Sequence, residues 1–155
     1  MDTDTRPGEL VLVRLGGCRY GLPMGSVAEV GRPPVLTRVP GLPAWVAGVA
    51  NWRGRVLAVV DLRGLLGAGT GGFDRRGRLV VLAHRGVRVG LLVEAVAGGA
   101  APDPEAIEPA LSHLSDSAGG LLLGQVTDTD GPYGLLDLDA VLALADTLPR
   151  ARRAG

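Results

Sequence analysis

The stretch of sequence that decides the fold is "GVANWRGRVLAVVDLRGLLG", residues 48–67. Two apolar segments flank the pair Arg53-Gly54, and the second of them ends at Asp61. Glycine adopts the positive φ angles that short hairpin turns require. The stretch therefore predicts two antiparallel strands joined at Arg53-Gly54. A single helical turn over residues 62–66 follows, and Asp61 is placed to cap it.

Turn residues recur along the whole chain. The 155 residues include 25 glycines and 11 prolines, which separate short apolar runs. This spacing is typical of barrels and sandwiches with many turns, and it predicts about nine strands. Hydrophobic residues make up 46% of the chain, which is enough for the core of one domain, or of one domain built from two small halves.

One convincing helix lies near the C-terminal end. Residues 138–148 repeat apolar side chains at positions i, i+3, i+4 and i+7, and Asp137 is placed as the N-cap. The segment 27–30, "VAEV", fits either a helical turn or a short strand. The sequence pattern therefore predicts a mostly β protein with one terminal helix.

Charge and cysteine content exclude several classes of partner. The chain has 16 basic residues, all arginine, and 16 acidic residues, so its balanced charge predicts no binding to nucleic acid or anionic lipid. No apolar run reaches the roughly 18 residues of a membrane span, and no direct membrane insertion is expected. The single Cys18 cannot form an internal disulfide and fits a reducing compartment. We therefore expect a cytoplasmic protein.

The sequence offers little catalytic equipment. His84 and His113 are its two histidines, and neither has a second histidine, cysteine or carboxylate at metal-ligand spacing. The chain has neither a phosphate-binding glycine motif nor a nucleophile elbow. We predict no catalytic residue, no cofactor and no metal, so that the protein is not an enzyme and a binding role is favoured.

The segment from 40 to 67 resembles the central signature of CheW-like domains. That signature has a Gly-Val-x-Asn-x-Arg-Gly turn, which matches residues 48–54, and an aliphatic strand that ends in Asp-Leu-Arg, which matches residues 61–63. The segments 9–30, 79–99 and 131–145 are similar to the opening hairpin, the second-half hairpin, and the closing strand and helix of the family.

The resemblance covers about residues 9–146. It implies two small SH3-like five-stranded β-barrels packed side by side, with a short C-terminal helix. We take residues 9–148 as the domain, and residues 1–8 and 149–155 as flexible tails.

The resemblance also implies a function. CheW-like proteins are adaptors that couple the cytoplasmic tips of chemoreceptors to the regulatory domain of a CheA-type histidine kinase, which has the same fold. The resemblance predicts a protein that is monomeric in isolation and binds both partners. One alternative is a diverged regulatory module in another histidine-kinase pathway that does not control motility. A second is a small-molecule-binding or hydrolytic β-barrel.

Two groups of residues are candidates for partner contact. By the resemblance, Val27, Glu29 and Val30 match family positions that line the receptor-binding groove between the barrels. Val27 and Val30 also fit a core role, and the Glu29 carboxylate is expected to be either solvated or paired.

The hairpin turn supplies the second group, which consists of Asn51, Arg53 and Gly54. Arg53 presents a charged fork suited to a carboxylate or to carbonyl groups. Asn51 can bond to the backbone of the turn, and both residues also fit a purely structural role. We assign structural roles to Gly48 at the turn motif and to Asp61 as a cap. Trp52 and Ala58 depart from the family, which usually has an aliphatic residue and a proline there.

Overall fold

The computed structural model describes residues 8–67, 72–109 and 120–146. These residues form ten β-strands and one α-helix. The strands are β1 (Leu10–Leu15), β2 (Cys18–Pro23), β3 (Val27–Gly31), β4 (Val46–Trp52), β5 (Arg55–Val60), β6 (Arg78–His84), β7 (Val87–Val93), β8 (Ala95–Ala100), β9 (Leu122–Asp128) and β10 (Gly131–Leu136), and the helix is α1 (Leu138–Asp146). Apart from Gly8, both predicted tails lie outside the described residues.

The strands form two five-stranded sheets. Sheet A has the order β8-β1-β2-β10-β9, and sheet B has the order β3-β6-β7-β5-β4. All strand pairs are antiparallel except β2 with β10 and β5 with β7, which are parallel. Sheet B is built from one continuous part of the chain, residues 27–93, whereas sheet A takes strands from both sides of that part.

The prediction of two five-stranded units with a short C-terminal helix is confirmed. The count of about nine strands was one too low, because the segment 27–30, which fitted two assignments, forms β3. This strand is short, and its pairing with β6 is interrupted by a register shift between Val27 and Glu29. Such a bulge breaks the alternation by which strands are recognised in a sequence.

A shared hydrophobic core joins the two sheets. It takes side chains from both sheets and from α1, including Val13, Leu15 and Leu22 from sheet A and Val80, Leu82 and Leu91 from sheet B. Each sheet also encloses a smaller apolar cluster of its own. Aliphatic side chains dominate all three clusters, as the few aromatic residues of the sequence require.

Helix α1 lies against this shared core. Leu138, Val141 and Leu142 are buried there, which confirms the apolar face that the sequence predicts. The Asp137 Oδ1 accepts a hydrogen bond from the Ala140 N–H at 3.3 Å, so Asp137 is the N-cap. The end of the predicted helix, residues 147–148, lies outside the described residues. No helix in the described ranges is long and apolar enough to cross a membrane.

A buried arginine fastens the strands of sheet A. The Arg19 side chain on β2 is only 9% exposed, and its guanidinium donates to both carboxylate oxygens of Asp128 at 3.1 and 2.7 Å. Arg19 also donates to the Gly131 carbonyl at 2.8 Å and lies over the Tyr133 ring. The hydrogen bonds from Arg19 hold the pKa of Asp128 below its ordinary value.

We expect this ion pair to make stability depend on acidic pH. Because the pKa of Asp128 is lower in the folded state, its contribution is present above the unfolded pKa of about 3.9 and is lost as the pH falls through the folded value. Melting temperatures measured between about pH 6 and pH 3 should fall less steeply for Asp128→Asn than for the parent protein. The matched control Asp103→Asn, at an exposed residue, should keep the parent slope.

Candidate functional site

The hairpin between β4 and β5 has the geometry that its sequence predicts. Arg53 has a φ of 55° and Gly54 a φ of 81°, as a type I′ turn requires. The Gly54 N–H donates to Asn51 Oδ1 at 3.1 Å. Asn51 therefore bonds to the backbone of the turn through its side-chain oxygen, and the residue is exposed.

Arg53 and Glu29 form an ion pair across the rim of sheet B. The Arg53 Nε and Nη2 lie 3.0 and 2.9 Å from Glu29 Oε1, although the two residues are far apart in sequence. The Arg53 guanidinium lowers the pKa of Glu29 by hydrogen bonding. The Arg53 side chain remains 71% exposed and lies 5.3 Å from the centre of the Trp52 ring. The pair is therefore part of the outer surface.

Trp52 connects two strands that share no backbone hydrogen bonds. Strands β3 and β4 are the opposite edges of sheet B, so the ladder of the sheet is open between them. The Trp52 ring packs on Gly31 so closely that a Cβ at Gly31 would lie 2.8 Å from its Cη2 atom. Trp52 and the Glu29–Arg53 pair thus bridge the gap with side chains.

The three candidate contact residues of β3 do not all point to the same side of the strand. Val27 and Val30 lie opposite Leu82 and Val80, which face the shared core, whereas Glu29 lies opposite Val81, which faces the interior of sheet B. Val27 is half-buried against the shared core, and Val30 is exposed.

Val56 and Val87 are further exposed residues on the same face of sheet B. In the parallel ladder of β5 and β7, Val59 is paired with Gly90. Val56 lies three residues before Val59, and Val87 lies three residues before Gly90, so the two valines lie at the same level of the sheet. Val56 points to the same side of its strand as Val60, and Val87 to the same side as Val89, and both of these residues belong to the shared core. The residues of the smaller apolar cluster of sheet B point to the other side. We call Val27, Val30, Val56 and Val87 the valine margin; Val27 is half-buried against the shared core, and the other three are exposed.

Gly48, to which the sequence assigned a structural role at the turn motif, lies inside β4 at the register shift between Val46 and Gly48. Its φ is 149°, and a Cβ there would lie 2.7 Å from the Thr37 carbonyl oxygen. Thr37 forms a two-bond bridge with Val49, at 2.8 and 2.9 Å, that holds the proline-rich segment against β4. The close approach of this segment requires a residue without a side chain.

Asp61 caps the turn after β5 and also holds a buried arginine. Its Oδ1 accepts from the Arg63 N–H at 3.1 Å, which is the predicted cap. The Arg63 side chain is 5% exposed and donates to both Asp61 oxygens, at 3.0 and 2.9 Å. Its guanidinium lies 4.0 Å from the centre of the Phe73 ring. Hydrogen bonding to Asp61 raises the pKa of Arg63 further above its ordinary value.

Glu94 extends this network to the other sheet. It lies between β7 and β8, where the chain passes from sheet B to sheet A. Its Oε2 accepts from Arg63 Nη1 at 3.3 Å, and its Oε1 accepts from the Gly16 N–H at 2.7 Å in the β1–β2 turn. The Asp61–Arg63–Glu94 network therefore ties the two sheets together.

His84 has a structural setting. Its Nε2 lies 2.9 Å from Asp139 Oδ1 at the start of α1, and its Nδ1 lies 3.3 Å from the Ser26 hydroxyl. Asp139 also pairs with Arg85 at 3.1 Å. The group links the end of β6 to the helix. The second histidine, His113, lies outside the described residues.

Comparison with known proteins identifies the family. The CheW-like domain profile matches residues 9–146, which is nearly the whole chain. The chain belongs to the CheW-like domain family. A CheW-like protein of known structure, described as the scaffolding protein TtCheW from Thermoanaerobacter tengcongensis, superimposes with a TM-score of 0.75 at 27% identity, over 89% of each chain.

Two relatives extend the comparison. The chain is 30% identical over 135 residues to the probable chemotaxis protein CheW of Rhizobium etli, which covers 87% of both proteins. It is 44% identical over 85 residues to protein PilI of Pseudomonas aeruginosa, which covers 55% of this chain and 48% of PilI. This CheW-like chain is thus similar in sequence to proteins that carry different names within one family.

The contact between Trp52 and Gly31 shows how this CheW-like chain accommodates the tryptophan ring at the edge of sheet B. We expect Gly31→Val to lower the free energy of unfolding by about 2 kcal/mol, because its side chain must displace the ring. In the background of Trp52→Leu the same change should cost about 1 kcal/mol less, and denaturant titration of the four proteins measures this coupling. Gly25→Val, where the added Cβ meets open space, is the matched control. Equal costs in both backgrounds would contradict a compensating pair.

Several contacts of the site escaped the sequence analysis. Arg63 and Glu94 were not singled out, although the ending Asp-Leu-Arg was part of the signature. A carboxylate at a strand junction, between Val93 and Ala95, is the signal that could have indicated Glu94 as a paired residue. The predicted partner-contact residues Val27, Glu29, Val30, Asn51, Arg53 and Gly54 stay predictions as contacts.

Proposed function

We propose that this protein is a non-enzymatic scaffold that couples the cytoplasmic tip of a chemoreceptor to the regulatory domain of a CheA-type histidine kinase. The match to the CheW-like domain over nearly the whole chain carries the proposal. The names of two similar proteins, a chemotaxis protein and a scaffolding protein, support it. We place the protein in the cytoplasm, where the receptor tip and the kinase are accessible to it.

The proposed contact surface consists of the valine margin and the Glu29–Arg53 pair, which meet at the edge strand β3 although Glu29 points to the other side of that strand from Val27 and Val30. The exposed valines supply apolar area that a partner can cover, and the ion pair supplies a polar rim, as in many protein interfaces. Arg53 keeps donor groups free because Nε and Nη2 both point to a single oxygen of Glu29. A carboxylate or carbonyl group of a partner can therefore bind to Arg53 without breaking the pair.

Exchanging the two charges tests whether the Glu29–Arg53 pair only stabilises the sheet or also presents its charges to a partner. The double variant Glu29→Arg/Arg53→Glu keeps opposite charges together but reverses what the rim presents. If the pair only closes the sheet, the double variant should bind as the parent does, and each single reversal should be unstable. If the rim contacts a partner, the double variant should stay folded and lose binding.

We expect Arg53→Ala to weaken binding to the regulatory domain of the cognate kinase, or to the receptor tip, about tenfold. The melting temperature should stay close to that of the parent, because an exposed ion pair contributes little to stability. Titration calorimetry and thermal melts measure the two effects separately. Arg55→Ala, at a nearby exposed arginine without an ion pair in the described residues, is the control. A loss of binding that merely follows a loss of stability would mean that the hairpin is structural.

A further inference from the structure

A group of arginines meets at one end of sheet B. Arg32 directly follows β3, and Arg75, Arg76 and Arg78 surround the start of β6. A cleft of about 580 Å³ lies between them and is lined by Arg32, Pro33, Asp74, Arg75, Gly77 and Arg78. Three guanidinium groups therefore share one opening with a single carboxylate.

The arginines that line this cleft differ from Arg19, Arg53 and Arg63, each of which pairs with a carboxylate. In the three described ranges, no carboxylate lies within ion-pair distance of Arg32, Arg75 or Arg78. Arg78 Nη1 donates to the carbonyls of Arg75 and Gly77 at 3.0 and 2.8 Å, which fixes its position and leaves its charge uncompensated. Asp74 Oδ1 accepts from the Arg76 N–H at 2.8 Å and so closes its own turn.

The register of the strands brings like charges together. Gly31 of β3 lies opposite Leu79 of β6 in an antiparallel pair. Arg32 directly follows Gly31 at the end of β3, and Arg78 directly precedes Leu79 at the start of β6, so the two arginines flank the last pair of this ladder. Like charges on neighbouring strands repel each other, and an anion that binds between them removes this repulsion.

We propose that this arginine cleft binds an acidic segment of a protein partner, with carboxylates on neighbouring residues. Guanidinium groups bind carboxylates through paired hydrogen bonds, and three of them around one cleft match several carboxylates better than one compact anion. Because the whole chain has a net charge of zero, attraction to such a segment has to come from a local group of arginines and not from the charge of the chain as a whole. The cleft involves none of the residues of the proposed receptor or kinase contact.

Fluorescence anisotropy of labelled hexaglutamate, with hexaglutamine as the neutral probe, tests this proposal on the full chain. We expect hexaglutamate to bind with a dissociation constant below about 1 mM at low ionic strength, and binding should weaken as salt is added. The variant Arg32→Gln/Arg75→Gln should reduce affinity at least tenfold, and it leaves Arg78 and its backbone contacts in place. The control Arg14→Gln/Arg55→Gln removes the same charge at other exposed positions and should change affinity less than twofold.

Three results would overturn the proposal. These are no binding of hexaglutamate in this range, an equal loss of affinity in both double variants, and displacement of the peptide by inorganic phosphate at equal concentration. The last would indicate a simple anion site. Circular dichroism of both double variants verifies that they are folded. Because the probe is a peptide and not the kinase or receptor, failure here leaves the proposed scaffold function standing, and failure of kinase binding leaves this result standing.

Discussion

Replacement of Arg63 by methionine is expected to lower the free energy of unfolding by about 3 kcal/mol, which is among the largest effects of a single change in this protein. The reason is electrostatic. Methionine fills the space of the arginine stem but leaves the Asp61 and Glu94 carboxylates facing each other without the cation that both contact. The loss also removes one of the two contacts that hold the Glu94 carboxylate, whose other oxygen accepts from the Gly16 N–H of the β1–β2 turn.

Urea unfolding of Arg63→Met and Arg55→Met measures this effect against a matched control. Arg55 is exposed, and its replacement should change stability by no more than about 0.5 kcal/mol. Glu94→Gln should give an intermediate loss, because the amide oxygen can still accept from the Gly16 N–H while the charge is removed. If Arg63→Met proves as mild as Arg55→Met, the network does not hold the two sheets together.

Gly48→Ala is expected to lower stability by about 3 kcal/mol, an unusually large effect for the addition of one methyl group. The positive φ accounts for part of this cost. The remainder comes from the Thr37 carbonyl oxygen, which the new Cβ would meet at 2.7 Å, so that the bridge between Thr37 and Val49 must open. Gly48 therefore determines whether the proline-rich segment can lie against β4.

Gly98→Ala separates the two contributions. Gly98 has a φ of 121°, and a Cβ there meets open space, so its replacement reports backbone strain without a clash. We expect a loss of about 1 kcal/mol for Gly98→Ala in the same unfolding assay. Equal losses for the two variants would assign the whole effect to φ and would contradict the requirement for close approach at Gly48.

The local features of the fold could be predicted from the sequence. The Arg53-Gly54 turn, the cap at Asp61 and the N-cap of α1 each depend on residues a few positions apart, and such contacts follow from backbone chemistry. The resemblance to the CheW-like signature supplied the arrangement of the two sheets, which periodicity alone does not give.

Contacts between distant segments could not be predicted in the same way. The sequence offered Glu29 as either solvated or paired, and its partner Arg53 was identified only when the register of β3 was known. The contact between Arg63 and Glu94 likewise depends on how sheet B meets sheet A. A one-residue shift in the register of a strand moves every side chain to the other face, and the bulge in β3 is such a shift.

The continuous origin of sheet B has a consequence for the order of folding. All strand pairs of sheet B lie within residues 27–93, so they can form as soon as that part of the chain has been synthesised. In sheet A, the hairpin of β1 and β2 must wait for β8 and β10, which are made much later. Pairing between strands that are far apart in the sequence is slow. Until β8 and β10 are in place, the hairpin of β1 and β2 exposes both of its strand edges. Glu94, made immediately after β7, then adds a hydrogen bond that ties the waiting β1–β2 turn to the completed sheet.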